Sequence, residues 1–198
     1  LISLLAYTLY TMIERYLGFR QRLESVLEDS LHQEVKLIAL ADFQGLDIEG
    51  FRVQEFKKDS EVKLPLWIAA ELIKAGIVKF KEGEEIDLKM LSKLHWIEVI
   101  QPSRVLSPLP ENFYLKLKLY LDELKARALR EIDKIEEYRK ALMMAGDIVS
   151  SRLRKVMELT LTRQTAQTLS NLTIEERILY EGLRDVVETW RNLYWVGG

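Results

Sequence analysis

This sequence predicts a mainly α fold with a small α+β domain, ordered as an N-terminal helix, a small β-rich domain and a helical bundle. Three observations carry the prediction. Apolar residues recur at three- and four-residue steps over residues 3–30 and again from Pro110 onward. Between those regions the apolar period drops to two. Three of the four prolines crowd into QPSRVLSPLP, which separates the β-like region from the second helical one.

Composition sets limits on function. With 198 residues and 48% apolar content the chain has material for a sizeable core. Lys plus Arg (29) nearly balance Asp plus Glu (31), for a formal charge of −2, so neither a chain-wide polyanion contact nor an acidic solubilising tail is implied and any charge signal must be local. The chain has no cysteine, which excludes disulfides, thiolate nucleophiles and cysteine metal sites and fits an intracellular protein. Charged residues at 30%, rich in Lys and Glu, resemble a thermophile's surface.

Residues 1–34 form the first segment. LISLLAYTLYTMIERYLG carries no charge before Glu14, yet its apolar run of about 13 residues is shorter than the ~20 that a membrane span needs. It also lacks a signal peptide's basic start and small-residue cleavage site, so no membrane contact is expected. Leu5, Leu9, Met12, Tyr16, Phe19, Leu23, Val26 and Leu27 make one broad stripe, suited to packing on the protein itself or on a partner.

Residues 35–100 read as the small domain. VKLIALADF and FRVQEF, joined through GLDIEG, look like an antiparallel pair. In VKLPLWIAAELIKAGIVKF, Pro65 suits the first turn of a helix, and Leu66, Ile68, Ala69, Leu72 and Ile73 give that helix a buried side. Gly76 ends it and IVKFK returns as a strand. Pro65, Leu66 and Trp67 are the expected centre of this domain's core. Asp87 is the expected N-cap of a further helix, LKMLSKLHWIEVI.

After the proline linker at 101–109, residues 110–198 are expected to be helical. One helix runs from Pro110 to about Met143, with Glu123–Arg127 and Glu136–Lys140 as outward i,i+4 pairs. Gly146 breaks the chain, a second helix covers about Asp147 to Arg163, and QTAQTLSN loops. Thr173 and Glu176 form a capping box for a third helix through Leu179, Leu183, Val186, Val187, Trp190 and Tyr194. A first helix of about 33 residues would be roughly 50 Å long, against a diameter of roughly 30 Å for a domain of about 90 residues. Its stripe would need cover from outside. Phe113, Leu117, Tyr120, Leu124, Ile132 and Ile135, with Trp190 and Tyr194, are therefore the expected partner interface.

Catalytic patterns are missing. The sequence contains no Walker loop, GxGxxG, HExxH or GxSxG, so no enzyme activity, cofactor, metal or small-molecule substrate is expected. His32 and His95 stand apart from any ligand-spaced cluster, and EGEE at 82–85 lacks a calcium loop's spacing. Glu175 and Glu176 fit a helix start better than an acid/base pair. SRLRKVMELTLTRQ is locally basic: Arg152, Arg154, Lys155 and Arg163 are the candidate nucleic-acid contact, a weak one because no aromatic platform is interleaved. A nucleic-acid-binding helical module is thus the alternative function.

Three blocks in order, VKLPLW followed by IAAEL, SPLPENFYLKLKLYL, and NLTIEERILYEGL, resemble the GINS family of replication subunits, over roughly residues 35–195. The order of the β-rich B domain before the helical A domain resembles the archaeal-type B-before-A class, which pairs with subunits of the opposite order. The helical stretch before Val35 departs from the family pattern. The resemblance implies a non-enzymatic subunit of a GINS tetramer, bridging the MCM helicase motor and a RecJ-like protein in DNA replication. It implies a cytoplasmic, nucleoid-associated protein if archaeal and a nuclear one if eukaryotic.

Overall fold

The structure, a computed structural model, describes residues 2–48, 50–101, 106–162 and 165–195, without the side chains of residues 2–16, Ile48 and Gln167. The stripe positions Leu5, Leu9, Met12 and Tyr16 and the basic residue Arg163 therefore lie outside the described side chains, as does part of the proline linker. The fold is mainly α with a small β region. In order it comprises α1 (Ile2–His32), β1 (Glu34–Ala39), β2 (Leu46–Ile48), β3 (Phe51–Val53), β4 (Glu61–Pro65), α2 (Leu66–Lys74), β5 (Val78–Phe80) and α3 (Leu88–His95). A π-helical turn (Trp96–Ile100), α4 (Phe113–Ala128), α5 (Lys134–Thr160), α6 (Ala166–Ser170) and α7 (Ile174–Tyr194) complete it. Among the described residues no helix is long and apolar enough to cross a membrane.

Two compact units emerge, each assembled from separated segments. A sheet unit comprises Glu28–Lys93 and Asn112–Ala145; a second unit comprises Leu1–Leu27, Leu94–Glu111 and Gly146–Gly198. The sequence reading instead divides the chain in linear order, at 1–34, 35–100, 101–109 and 110–198.

In the sheet unit β1 is central, antiparallel to β4 on one side and to β5 on the other. Alternation puts Val35, Leu37 and Ala39 inside. The expected pairing of VKLIALADF with FRVQEF is reduced to one antiparallel bridge, in which Phe43 and Phe56 exchange N–H to carbonyl bonds of 2.9 and 3.0 Å; Phe51–Val53 otherwise pairs with Leu46–Ile48. Between the bridge and that hairpin the chain bends at Gly45. Its φ is +85° and a Cβ there would stand 2.9 Å from the Val53 carbonyl oxygen, so the chain turns at a position that only glycine fits. Phe43 and Phe56 stack below the hairpin at 4.9 Å.

Pro65 closes β4 (φ −55°, ψ 142°) and precedes α2 rather than starting it. Leu66 is fully buried, whereas Trp67 is half-buried at the edge of the core with its ring edge-on to Phe51 at 5.7 Å. Asp87 caps α3 as expected, accepting the Met90 N–H at 2.6 Å. Leu115 and Leu119 of α4 pack against this same core, so α4, with the part of α5 up to Ala145, belongs to the unit of the β module.

The long helix read over 110–143 is two helices. After Ala128 the chain tightens, with Arg130 N–H on the Arg127 carbonyl (2.9 Å) and Lys134 N–H on that of Glu131 (3.1 Å). Ile132, which would have prolonged the stripe, is 87% exposed, so no packing favours continuing the helix there. The break expected at Gly146 is absent as well. Ala145 and Ile148 are buried on either side of it, and their packing carries α5 through the glycine. At 1.5 Å per residue α5 is about 40 Å long, so a rod-like helix exists, but further along the chain. A Cβ at Gly146 would meet nothing within 4 Å. Gly146→Ala is therefore expected to stabilise the protein by about 0.5–1 kcal/mol, read as a higher urea midpoint with an unchanged slope.

In the second unit, α1 lies against α7. A Cβ at Gly182 would stand 3.3 Å from the Phe19 ring, and Arg22 pairs with Glu181 at 2.5 Å. Asn171 donates to the Leu106 carbonyl at 2.9 Å, and Leu106, Val156, Leu172 and Tyr180 form the apolar core.

Candidate partner interface

The second unit is organised around a buried guanidinium. Arg152 sits on the inward row of α5 with Ile148 and Val156, and its side chain is 0% exposed. All five of its N–H donors have acceptors. Nε and Nη2 grip the two oxygens of Glu176, both at 2.7 Å. Nη1 reaches Glu98 Oε1 at 2.8 Å and the Ser107 carbonyl at 2.6 Å, while Nη2 also meets the Asn171 carbonyl at 3.2 Å. Lys155 donates to Glu98 Oε2 at 2.7 Å, and Ser107 gives Glu98 both its N–H (2.9 Å) and its hydroxyl (2.5 Å).

Glu98 and Glu176 arrive by local structure. The π-helical turn after α3 carries Glu98 inward, and Glu176 is the N3 residue of the Thr173 capping box, formed as the sequence predicts. Burial alone would raise the Glu98 carboxyl, but the Lys155 and Ser107 hydrogen bonds and the Arg152 charge outweigh it, holding it below the ordinary 4.5. For Arg152 burial opposes the charge, and the two glutamates outweigh that, keeping it protonated. Because the Glu98 pKa is lower in the folded than in the unfolded chain, its stabilisation is present above the ordinary value and lost as pH falls through the folded one. Stability is expected to fall as the pH is lowered from about 5 into the acid range below the ordinary carboxyl value. Thermal unfolding across that range should show the fall, and Glu98→Gln should flatten it.

Two cations that the sequence offered to phosphate are therefore spent inside the protein. Arg152 and Lys155 cannot form a nucleic-acid face, because both are buried and paired with carboxylates. Arg154 is exposed and Arg163 lies outside the described residues. The proposed basic face is reduced to a single described cation.

Fixing α5 by its inner row leaves its outer row exposed. Val149, Leu153 and Met157 recur at four-residue steps, with Leu161 following, and all are exposed. On α7 the same is true of Val186, Trp190, Leu193 and Tyr194, with Trp195 just beyond; Trp190 is 58% and Tyr194 70% exposed, their rings 5.8 Å apart. Arg191 donates to the Leu161 carbonyl at 2.9 Å, which ties the last turns of α7 to the end of α5. The two apolar rows are thus held by one network and one terminal clamp.

The predicted interface residues divide. Trp190, Tyr194 and Ile132 are exposed, and Tyr120 and Ile135 are half-buried. Phe113, Leu117 and Leu124 are buried by the chain itself, Phe113 to 1%, so they cannot serve as partner contacts: α4 spends them on its own packing. Val149, Leu153 and Met157 were missed, although their i, i+4, i+8 spacing is visible in the sequence. No protein-family model matches this chain, and no curated protein matches it.

Proposed function

We propose that the chain is a structural, non-enzymatic subunit of a GINS-type complex, bridging an MCM-type helicase motor and a RecJ-like protein in DNA replication. The observation that carries this reading is the pair of exposed apolar rows on α5 and α7, an arrangement suited to burial against other helical subunits. The resemblance of the three sequence blocks to the GINS family supports the reading, and the order in which they occur suggests a partner of the A-before-B class. Such a subunit would work at the nucleoid of an archaeal cytoplasm, or in a nucleus. It would act without a cofactor, with DNA contact at most weak.

Co-expression with an A-before-B subunit tests the reading. A complex that survives gel filtration and retains an MCM-type motor is the expected outcome. Separate elution of the two chains under those conditions would overturn it.

A further inference from the structure

The outer face of the three-stranded sheet is set by its register. β1 presents Glu34, Lys36 and Ile38; β4 presents Glu61, Lys63 and Pro65; β5 presents Lys79, with Lys81 next on the same side. Lys36 stands directly opposite Lys63, and on its other side Lys81 donates its N–H to the Lys36 carbonyl at 3.0 Å. One row across the sheet therefore reads Lys63, Lys36, Lys81, and Lys79 begins the next.

The backbone bonds sharpen this. Leu66 N–H to the Gln33 carbonyl (2.9 Å) and Ala39 N–H to that of Ser60 (3.0 Å) fix the alternation along β1 and β4. They make Lys36 and Lys63 a non-hydrogen-bonded pair, the closer kind, with Cα atoms about 4.5 Å apart. Like charges placed directly opposite destabilise a sheet. The carboxylate that relieves this row is Glu61, 2.6 Å from Lys81 Nζ. The Lys81 hydrogen bond lowers its pKa, with Lys36 and Lys63 adding to the effect. Lys36, Lys63 and Lys79 are exposed, and among the described residues none of them forms an ion pair within 4 Å, although the Lys79 charge reaches the Glu85 carboxyl.

We propose that this face docks a short acidic segment of a partner protein, whose carboxylates sit among Lys36, Lys63 and Lys79 as Glu61 already sits beside Lys81. Size and charge select that occupant. The lysine row spans two strand spacings, about 10 Å, which a few carboxylate side chains cover. A nucleic acid would find no aromatic side chain on this face to stack on, and beyond the patch it would meet a chain of net charge −2. The proposal is independent of the α5 and α7 rows, which belong to the other unit.

Fluorescein-labelled hexaglutamate and a labelled duplex DNA, each titrated with the full chain at about 0.15 M salt, test it by anisotropy. Hexaglutamate is expected to bind more tightly than the duplex. In the double variant Lys36→Gln/Lys63→Gln its affinity should drop by about tenfold, while the melting temperature stays level or rises because the opposed charges are gone. Lys79→Gln, a single exposed change, should weaken binding in the same direction. Tighter binding of the duplex, or hexaglutamate affinity unchanged in both variants, would overturn the proposal.

Discussion

Replacing Arg152 with alanine is expected to lower stability by about 3–5 kcal/mol, because it leaves Glu98 and Glu176 buried around an empty site. Both ion pairs are almost wholly shielded from solvent, so water screens little of the loss. For a chain of this length such a change corresponds to a fall in melting temperature on the order of 10 °C. Arg152→Lys is expected to recover only part of it, since one ammonium cannot reproduce a side-on grip on Glu176 together with bonds to Glu98, Ser107 and Asn171. Thermal unfolding followed by circular dichroism reads both. A loss below about 1 kcal/mol for Arg152→Ala, the size seen for exposed pairs, would show that the network does not hold the α5–α7 unit.

The second large effect concerns association rather than stability. Leu153→Glu combined with Trp190→Glu places a charge in the middle of each exposed row. Because both side chains already face solvent, folding stability should shift by no more than about 0.5 kcal/mol per site. Binding to a partner subunit should fall by about a hundredfold or more, since a buried aromatic anchor alone contributes 2 kcal/mol or above. Isothermal calorimetry with the partner, alongside a melting curve of the variant, separates the two quantities. A variant that melts normally and still binds normally would mean that neither row is the interface.

Much of the architecture was legible from residue patterns. The period of two in VKLIA, the Pro65 and Gly76 boundaries of α2, the Asp87 cap and the Thr173–Glu176 box are local signals, and local geometry answers them. Pairing partners were legible only at the Phe43–Phe56 bridge. β1 chooses β4 and β5 because their inward residues, Val62 and Leu64 on one and Val78 and Phe80 on the other, complete its buried face, and that depends on chain folding well beyond the nearest turn. The helix boundaries went wrong for a related reason. Ile132 keeps the apolar period with nothing to pack against, and Gly146 interrupts it where packing on both sides is complete.

The candidate site was hardest where charge and position disagreed. Arg152 and Lys155 were read as a basic face by residue type. Set on a helical wheel with Ala145, Ile148 and Val156, they fall on the inward row, and Leu153 and Met157 fall outward. What the sequence does not display is the pair of acids that makes this arrangement stable. Glu98 lies more than fifty residues from Arg152 and is turned inward by a π-helical turn that no propensity announces. Trp190 and Tyr194, by contrast, stand on a single helix whose exposed side was readable directly.

The most direct test of the central claim is the mass of the full chain in solution, measured by light scattering over a range of concentrations. The exposed rows on α5 and α7 lead us to expect association: a mass above that of one chain, rising with concentration and returning to a single chain in Leu153→Glu/Trp190→Glu. A wild-type chain that stays monomeric at every concentration, and remains so when mixed with an A-before-B subunit, would contradict it.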